Sequence, residues 1–218
     1  MTAIQTSNAN QLGEMCAMII PCIWAGNFKR PLLSPKRHAA FKVFVQKVLK
    51  STQISSSCVI LSLYYIQQLR SAYPSIKASI GSEVRLFTTA LMLANKYLDD
   101  NTFTNKTWSQ VSSIPVNELN IMEMEFLSAL NYTIHIPHAV YFEWRNTCQG
   151  WWNHLSLCLT PLVLVPSQKR SSLWEESSPV QKKFFPSVDY YIDVKPILSW
   201  SSSVSALSSS RYNSHLDV

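Results

Sequence analysis

Apolar residues recur at helical spacing through most of this chain, and between residues 38 and 151 no segment alternates polar and apolar residues for long. The first stripe with the i, i+3, i+4 spacing of a surface helix comprises Phe41, Phe44, Val45, Val48 and Leu49. From Cys58 through Leu69 apolar residues occur on nearly every side, which is typical of a helix that is buried all round. Ser55, Ser56 and Ser57, just before it, offer hydroxyl groups that can cap its start. These patterns predict an all-α helical bundle over residues 38–151.

The composition disfavours a nucleotide-binding enzyme. The chain has only 4 glycines, and neither the G-x-G-x-x-G nor the G-x-x-x-x-G-K-[ST] loop occurs. The metalloprotease, serine-hydrolase and kinase signatures H-E-x-x-H, G-x-S-x-G and H-R-D are also missing. Cys148, His154 and Cys158 match no standard zinc spacing, so ordinary packing explains them better. We therefore expect no catalytic residue, no cofactor and no metal.

Changes in composition divide the chain into three parts. Residues 1–37 predict an N-terminal helix over residues 11–24, ended or bent at Pro21, and then a basic, proline-bearing linker. Residues 38–151 form the predicted bundle. Residues 152–218 become rich in serine without a lasting period, which predicts a largely disordered tail. The isolated aromatic residues of the tail leave short docking elements open as an alternative.

The cysteines and the apolar runs indicate a location inside the cell. The five cysteines are scattered and none lies in C-x-x-C spacing, so we expect reduced, mostly buried thiols and a nuclear or cytoplasmic protein. The apolar run over residues 155–165 is well short of the roughly 20 residues that span a bilayer. No membrane association is predicted.

One carboxylate interrupts an otherwise apolar helix face. At 100° per residue, Glu123 falls in the same sector as Met122, Phe126, Leu127 and Leu130. A carboxylate in that position is costly unless something pairs with it. Its partner lies either within the domain or on another protein. Lys96, at the end of the preceding long helix, is predicted to lie on a polar side with Arg85 and Thr89.

Five segments of the chain resemble a known family. Residues 91–100 (LMLANKYLDD) and 119–127 (LNIMEMEFL) look like the centre of a cyclin box, and residues 59–66 (VILSLYYI) are similar to its buried first helix. Residues 44–49 (FVQKVL) and 13–16 (GEMC) resemble fungal cyclins of the phosphate-regulation (Pho/Pcl-like) class. The resemblance covers about residues 12–150.

The resemblance implies a fold, a function and a partner. It implies a single five-helix cyclin box with extra N-terminal helices, which binds and activates a cyclin-dependent kinase of the phosphate-regulation class and directs its substrate choice. In that family a lysine and a glutamate at the positions of Lys96 and Glu123 face the kinase. Phe126 and Leu127 complete the predicted kinase-binding set. The chain would itself be a regulatory subunit and not an enzyme.

The sequence leaves two other functions open. A cyclin-fold transcription factor would bind DNA through a concentrated basic stripe, but the 19 lysines and arginines, for a formal net charge of +6, are spread along the chain. We therefore expect no nucleic-acid partner. A helical scaffold protein would pair Glu123 internally and bind no kinase. Finally, Ser34-Pro35-Lys36-Arg37 fits the S-P-x-[KR] pattern that cyclin-dependent kinases favour, which predicts phosphorylation of Ser34.

Overall fold

The computed structural model describes residues 8–29, 33–76 and 81–159. These residues form helices and connecting loops without a β-strand, as the apolar spacing predicts. The seven helices are α1 (Ala9–Ala25), α2 (Pro35–Thr52), α3 (Ser56–Ala72), α4 (Ser82–Leu98), α5 (Asn105–Ser112), α6 (Val116–Ala129) and α7 (His138–Leu159). From residue 160 onward, the tail that the sequence predicts to be disordered lies outside the described residues.

Helix α3 occupies the centre of the fold. It packs against α1, α4, α6 and α7, and nine of its seventeen residues are buried. Ser55 begins the helix because its side chain accepts a hydrogen bond from the Cys58 amide, so the predicted serine cap is correct. The indole N–H of Trp144, on α7, donates to the Ile60 carbonyl, and this buried bond satisfies both groups.

Helix α1 belongs to the same core as α3 and is not an appended element. Eleven of its seventeen residues are buried, and it packs against α2, α3 and α7. The expected division between residues 1–37 and the bundle is therefore not a structural boundary. The helix continues past Pro21 to Ala25, and Gly26 ends it with a φ of 64°, a conformation that glycine adopts without strain.

A polar contact fixes the orientation of α1 on α2. Glu14 is the one charged residue of α1, and its carboxylate forms an ion pair with Lys42 and lies 3.6 Å from His38 Nε2. Gly13 lets the helices approach closely, because a methyl group in its place would lie 2.5 Å from Gln46 Cγ. A helix that is apolar on almost every other side is thereby held in one rotation against α2.

Helix α7 extends eight residues beyond the expected end of the bundle at residue 151. Trp144, Cys148 and Leu155 are buried, and the spacing of four and seven residues places them on one face. The Trp151 ring stacks on Phe28, with 4.0 Å between ring centroids, and meets Trp144 edge-on. The serine content changes near residue 152, but the apolar stripe that decides where the helix ends continues to Leu155.

The thiols are mostly buried, as predicted. Cys16, Cys22, Cys58 and Cys148 are free and buried, whereas Cys158 is exposed. Burial raises the pKa of Cys22 and Cys58 to about 11 and raises the pKa of the other two buried thiols further. These thiols stay neutral and unreactive near neutral pH. None of the helices in the described ranges is both long and apolar enough to cross a bilayer.

Substitutions in α1 test whether it belongs to the core. Ile19 has no exposed surface, so Ile19→Ala is expected to lower the free energy of unfolding by about 2–5 kcal/mol, as in other buried isoleucine sites. Val43→Ala is the control, because Val43 is 62% exposed and its loss should cost less than about 0.5 kcal/mol. Urea denaturation measures both. Equal, small effects would show that α1 is peripheral.

Candidate functional site

Lys96 and Glu123 meet on the surface where α4 and α6 approach each other. Lys96 Nζ lies 2.5 Å from Glu123 Oε1, which makes the two side chains a hydrogen-bonded ion pair. The Lys96 side chain is 33% exposed and that of Glu123 is 15% exposed. Of the two partners considered for Glu123, the one within the domain is therefore present. The pair still has one side open to solvent.

Asn105, the first residue of α5, joins the ion pair. Its side-chain oxygen accepts from Lys96 Nζ at 3.0 Å, and its Nδ2 donates to Glu123 Oε2 at 2.8 Å and to Asn120 Oδ1 at 2.7 Å. Three helices thus supply one polar cluster, which we call the α4–α5–α6 junction: Lys96, Asn105, Asn120 and Glu123. Sequence reasoning missed both asparagines, because no periodicity places the start of a short helix next to Glu123.

A second ion pair connects the same two long helices. Arg85 Nε lies 2.5 Å from Glu118 Oε1, and both side chains are mostly buried. Thr89 is 1% exposed and donates to the Arg85 carbonyl. The side of α4 that carries Arg85 and Thr89 therefore packs against α6, and the expectation that it is a solvent-facing polar side is wrong. The polar residues there satisfy one another within the interface between helices.

The two apolar residues of the predicted site lie at different depths. Phe126 is 1% exposed and belongs to the core, so its side chain offers no surface to a partner. Its inclusion among contact residues is corrected on this point, because an apolar stripe cannot by itself distinguish core from contact surface. Leu127 is half-buried against the core and keeps part of its side chain in reach of solvent.

Exposed apolar side chains lie on α4 and α6, the two long helices that carry the junction. Leu98 is 43% exposed at the end of α4, and Ile121 and Met124 are 58% and 57% exposed on α6. At 100° per residue, Leu127 and Met124 follow Glu123 around α6 at about 40° and 100°, on the solvent side. Glu123 therefore lies between the buried face of α6 and the apolar side chains of Leu127 and Met124 on its solvent side. Exposed apolar surface bordered by polar groups is typical of protein interaction sites.

A buried amide supports the end of α4 that carries Lys96. Asn95 is 1% exposed, and its Nδ2 donates to Asp99 Oδ2 at 2.7 Å while its Oδ1 accepts from the Phe103 amide at 3.4 Å. The Cys58 thiol also donates to Asp99 Oδ2, at 3.4 Å, which connects α3 to this turn. These bonds fix the last turn of α4, so the position of Lys96 is set by the core beneath it.

The junction has groups suited to molecular recognition and not to catalysis. It offers ammonium and amide donors and carboxylate acceptors, but it contains no nucleophile with an adjacent base. Within the described ranges, no three histidine, cysteine, aspartate or glutamate side chains come together in a way that would hold a metal ion. Groups of this kind can interact with another molecule through hydrogen bonds and apolar contact.

Comparison with known families defines the class of protein. Residues 37–134 match the sequence model of the cyclin family, and this range contains α2 through α6 in full apart from the first two residues of α2. This part of the chain is similar to cyclins in sequence, and its all-helical structure contains the predicted five-helix cyclin box. Helices α1 and α7 lie outside the match and pack on the five-helix box.

Individual relatives narrow the class. The chain is 29% identical over 137 residues to PHO85 cyclin-5 of Saccharomyces cerevisiae, covering 59% of each chain. It is 26% identical over 131 residues to Cyclin-U4-1 of Arabidopsis thaliana, covering 58% of this chain and 61% of that protein. The G1/S-specific cyclin pas1 of Schizosaccharomyces pombe is 29% identical over 104 residues, 46% of this chain and 25% of pas1. The predicted resemblance to fungal Pho/Pcl-like cyclins is confirmed, although the chain spans less than two thirds of each of these relatives.

Substitution of Asn105 tests whether the hydrogen bonds of the junction form in solution. Asn105→Ala removes bonds to Lys96, Glu123 and Asn120, so we expect the free energy of unfolding to fall by about 1–2 kcal/mol. Asn101→Ala, on an exposed loop position, is the control and should change stability by less than about 0.5 kcal/mol. If urea denaturation gave the same value for both variants, the junction would not be formed in solution.

Proposed function

We propose that the chain is a regulatory cyclin subunit that binds and activates a cyclin-dependent kinase, and that the α4–α5–α6 junction contacts the kinase. The observation that carries the proposal is the Lys96–Glu123 ion pair, which lies inside the cyclin domain and has an open side next to exposed apolar residues. A purely internal ion pair would need no such surroundings. The names of the PHO85 cyclin relatives support a kinase of the phosphate-regulation class as the partner.

The junction retains hydrogen-bonding capacity for a partner. Lys96 has three N–H donors, of which Glu123 and Asn105 use two, and no other described residue accepts from the third. Each oxygen of Glu123 accepts one bond and keeps a second lone pair. A lysine N–H and a carboxylate lone pair suit one backbone carbonyl and one backbone amide of an incoming segment. In the proposed complex this is the segment that precedes the regulatory helix of the kinase.

Apolar side chains next to Glu123 supply contact area that the hydrogen bonds do not. Met124 and Leu127 follow Glu123 around the solvent side of α6, and burying a side chain of this size stabilises a complex by about 1.5–3 kcal/mol. Partly exposed ion pairs contribute much less, typically below about 1 kcal/mol. We therefore assign affinity to the apolar contacts, and orientation and specificity to Lys96 and Glu123.

Activation follows from binding one state of the kinase better than another. A kinase whose regulatory helix is displaced lacks the lysine–glutamate ion pair that orients the phosphates of ATP. A cyclin that contacts the helix only in its inward position shifts the population toward the active state by its differential affinity. In this mechanism the chain carries out no chemistry. The buried, neutral thiols support our proposal of a nuclear or cytoplasmic complex.

The double variant Lys96→Ala/Glu123→Ala tests the proposed contact. Removing both partners leaves no unpaired charge, so the fold should survive, while kinase affinity should fall at least tenfold and activation should be lost. The measurements are pull-down of a purified phosphate-pathway-type kinase by the full chain and its activity on a peptide substrate.

The second α4–α6 ion pair provides a matched control. Arg85→Ala/Glu118→Ala removes a pair between the same helices that is more deeply buried, about 16 Å along α4 from Lys96 by the helical rise. This variant should lose at least as much stability but keep kinase binding. Equal loss of binding in both variants would mean that the pairs act through the fold, as a helical scaffold requires. Kinase binding by neither variant nor the wild type would reject the cyclin function.

We also propose that Ser34 is phosphorylated by the bound kinase. Ser34 is exposed and caps α2, where its side chain accepts from the Arg37 amide at 3.5 Å. Phosphate at the first turn of this helix would meet the positive end of the macrodipole and the basic side chain of Lys36, whereas Arg37 is already paired with Glu83. These features make the modified state electrostatically favourable.

Incubation of the active complex with ATP and Mg²⁺ tests the modification. Mass spectrometry should find phosphate on Ser34 in the wild type and none at this position in Ser34→Ala. The phosphorylated chain should unfold with a free energy higher by about 0.3–1 kcal/mol, because the added charge favours the helix N-terminus. Ser178→Ala, which alters a minimal Ser-Pro match elsewhere in the chain, is the control. An active complex with unmodified Ser34 would refute the assignment.

A further inference from the structure

Helix α2 carries an unusual concentration of positive charge. It contains five lysine and arginine residues and no aspartate or glutamate: Lys36, Arg37, Lys42, Lys47 and Lys50. The whole chain has 19 basic and 13 acidic residues, so a helix with five basic residues and no acidic one is more positive than the chain as a whole. Acidic residues on neighbouring helices determine how much of this charge is neutralised.

Neighbouring helices neutralise two of the five positive charges on α2. Arg37 donates through Nη2 to both oxygens of Glu83, at 3.0 and 3.1 Å, and Lys42 forms an ion pair with Glu14. Lys36, Lys47 and Lys50 are exposed and form no ion pair with any residue in the described ranges. Three positive charges on α2 therefore remain uncompensated.

The three uncompensated lysines lie on one face with an exposed valine between them. Taking Lys36 as 0° and 100° per residue, Val43 falls at about −20°, Lys47 at about 20° and Lys50 at about −40°. The buried face of α2, which includes Val45, lies about 180° away, so the four residues point directly outward. Val43 is 62% exposed. We call these four residues the α2 stripe. At 1.5 Å per residue it is about 21 Å long.

We propose that the α2 stripe binds an acidic, extended segment of a partner protein. About six or seven extended residues, at about 3.3 Å each, match its length. Carboxylates toward both ends of the segment would meet Lys36 on one side and Lys47 and Lys50 on the other, and a central apolar side chain would cover Val43. The positive charge of the lysines favours an acidic partner, and the exposed valine favours one with an apolar side chain near the middle of the segment.

An acidic peptide fits the stripe better than nucleic acid does. Nucleic-acid binding draws affinity from many phosphate contacts, whereas the stripe offers three lysines over its whole length. An exposed valine in the middle of the row contacts no phosphate, but it is useful against an apolar side chain. DNA binding by the same lysines is therefore an outcome of the test that would overturn the proposal.

The α2 stripe also extends the proposed function, and this extension rests on it. The stripe lies on the outward face of α2, whereas the α4–α5–α6 junction is built from three other helices. A segment bound to α2 therefore does not compete for Lys96 or Glu123. In a complex with a kinase, the stripe would hold substrates that carry an acidic segment and raise their local concentration at the kinase.

The first experiment needs no kinase. A fluorescein-labelled peptide, Asp-Glu-Asp-Leu-Glu-Asp-Glu, is titrated with the purified full chain and its anisotropy is followed at low and moderate salt. The same peptide with amides in place of its carboxylates is the reference. We expect the acidic peptide to bind at least tenfold more tightly than the reference, with affinity that falls as salt rises.

Variants localise the binding. Lys36→Glu/Lys47→Glu/Lys50→Glu should lower the affinity for the acidic peptide about tenfold or more. Lys29→Glu/Lys182→Glu/Lys183→Glu changes the net charge equally outside α2 and should keep most of the affinity. Val43→Asp should weaken binding of the leucine peptide more than binding of a peptide with serine in place of leucine. Circular dichroism confirms that each variant is folded.

Three results would overturn the proposal. They are the absence of binding by the wild type, equal loss in the two triple-charge variants, and binding of a short DNA duplex through the α2 lysines without binding of the peptide. A second measurement tests the extension: kcat/KM of the kinase complex for a substrate with and without the acidic segment. Peptide binding without kinase binding would reject the cyclin function and leave the α2 stripe intact, so the two failures are distinguishable.

Discussion

The burial of α3 is the constraint on which the rest of the structure depends. Because this helix is apolar on nearly every side, it must be surrounded, and α1, α4, α6 and α7 surround it. Packing along α3 fixes α4, and the contact of α4 with α6 brings Lys96 to Glu123. The surface site is therefore a consequence of the core. The Cys58–Asp99–Asn95 bonds extend that control from α3 to the turn next to Lys96.

In our proposal the α4–α5–α6 junction combines two roles that sequence reasoning treated as alternatives. Glu123 is paired within the domain, which removes the cost of a lone carboxylate on an apolar face. The pair nevertheless keeps free hydrogen-bonding capacity, and Leu127 and Met124 lie next to Glu123 on the solvent side of α6. Our account is that the internal bonds hold Lys96 and Glu123 in place before the partner arrives, so that little side-chain entropy is lost on binding.

The sequence predicted those features that depend on local periodicity. The all-α class, the buried α3 and its serine cap follow from spacing and from the chemistry of helix ends, and the structure contains them. The position of α1 was not predictable in this way. Its apolar residues indicate a helix, but whether that helix lies inside or beside the bundle depends on contacts with α2, α3 and α7 that are distant in sequence.

The same distinction explains the errors at the site. Phe126 and Leu127 are neighbours in sequence, yet only packing separates a core residue from one at the surface. Asn105 joins Lys96 and Glu123 from another helix, and no motif announces such a contact. The helical wheel singled out Glu123, and the family resemblance predicted a shared role for it and Lys96. The network that positions them required the three-dimensional structure.

The most direct test of the central claim is a charge exchange at the junction. Lys96→Glu/Glu123→Lys restores an ion pair of the opposite orientation, and the Asn105 amide can bond either group, so the fold should remain stable. In the exchanged variant the donor would lie on α6 and the acceptor on α4, which is the opposite of what the kinase backbone requires in our proposal. We predict that titration of the purified kinase shows near-wild-type stability but at least tenfold weaker binding for the exchanged variant. Wild-type affinity in that variant would show that the pair acts only within the fold and does not contact the kinase.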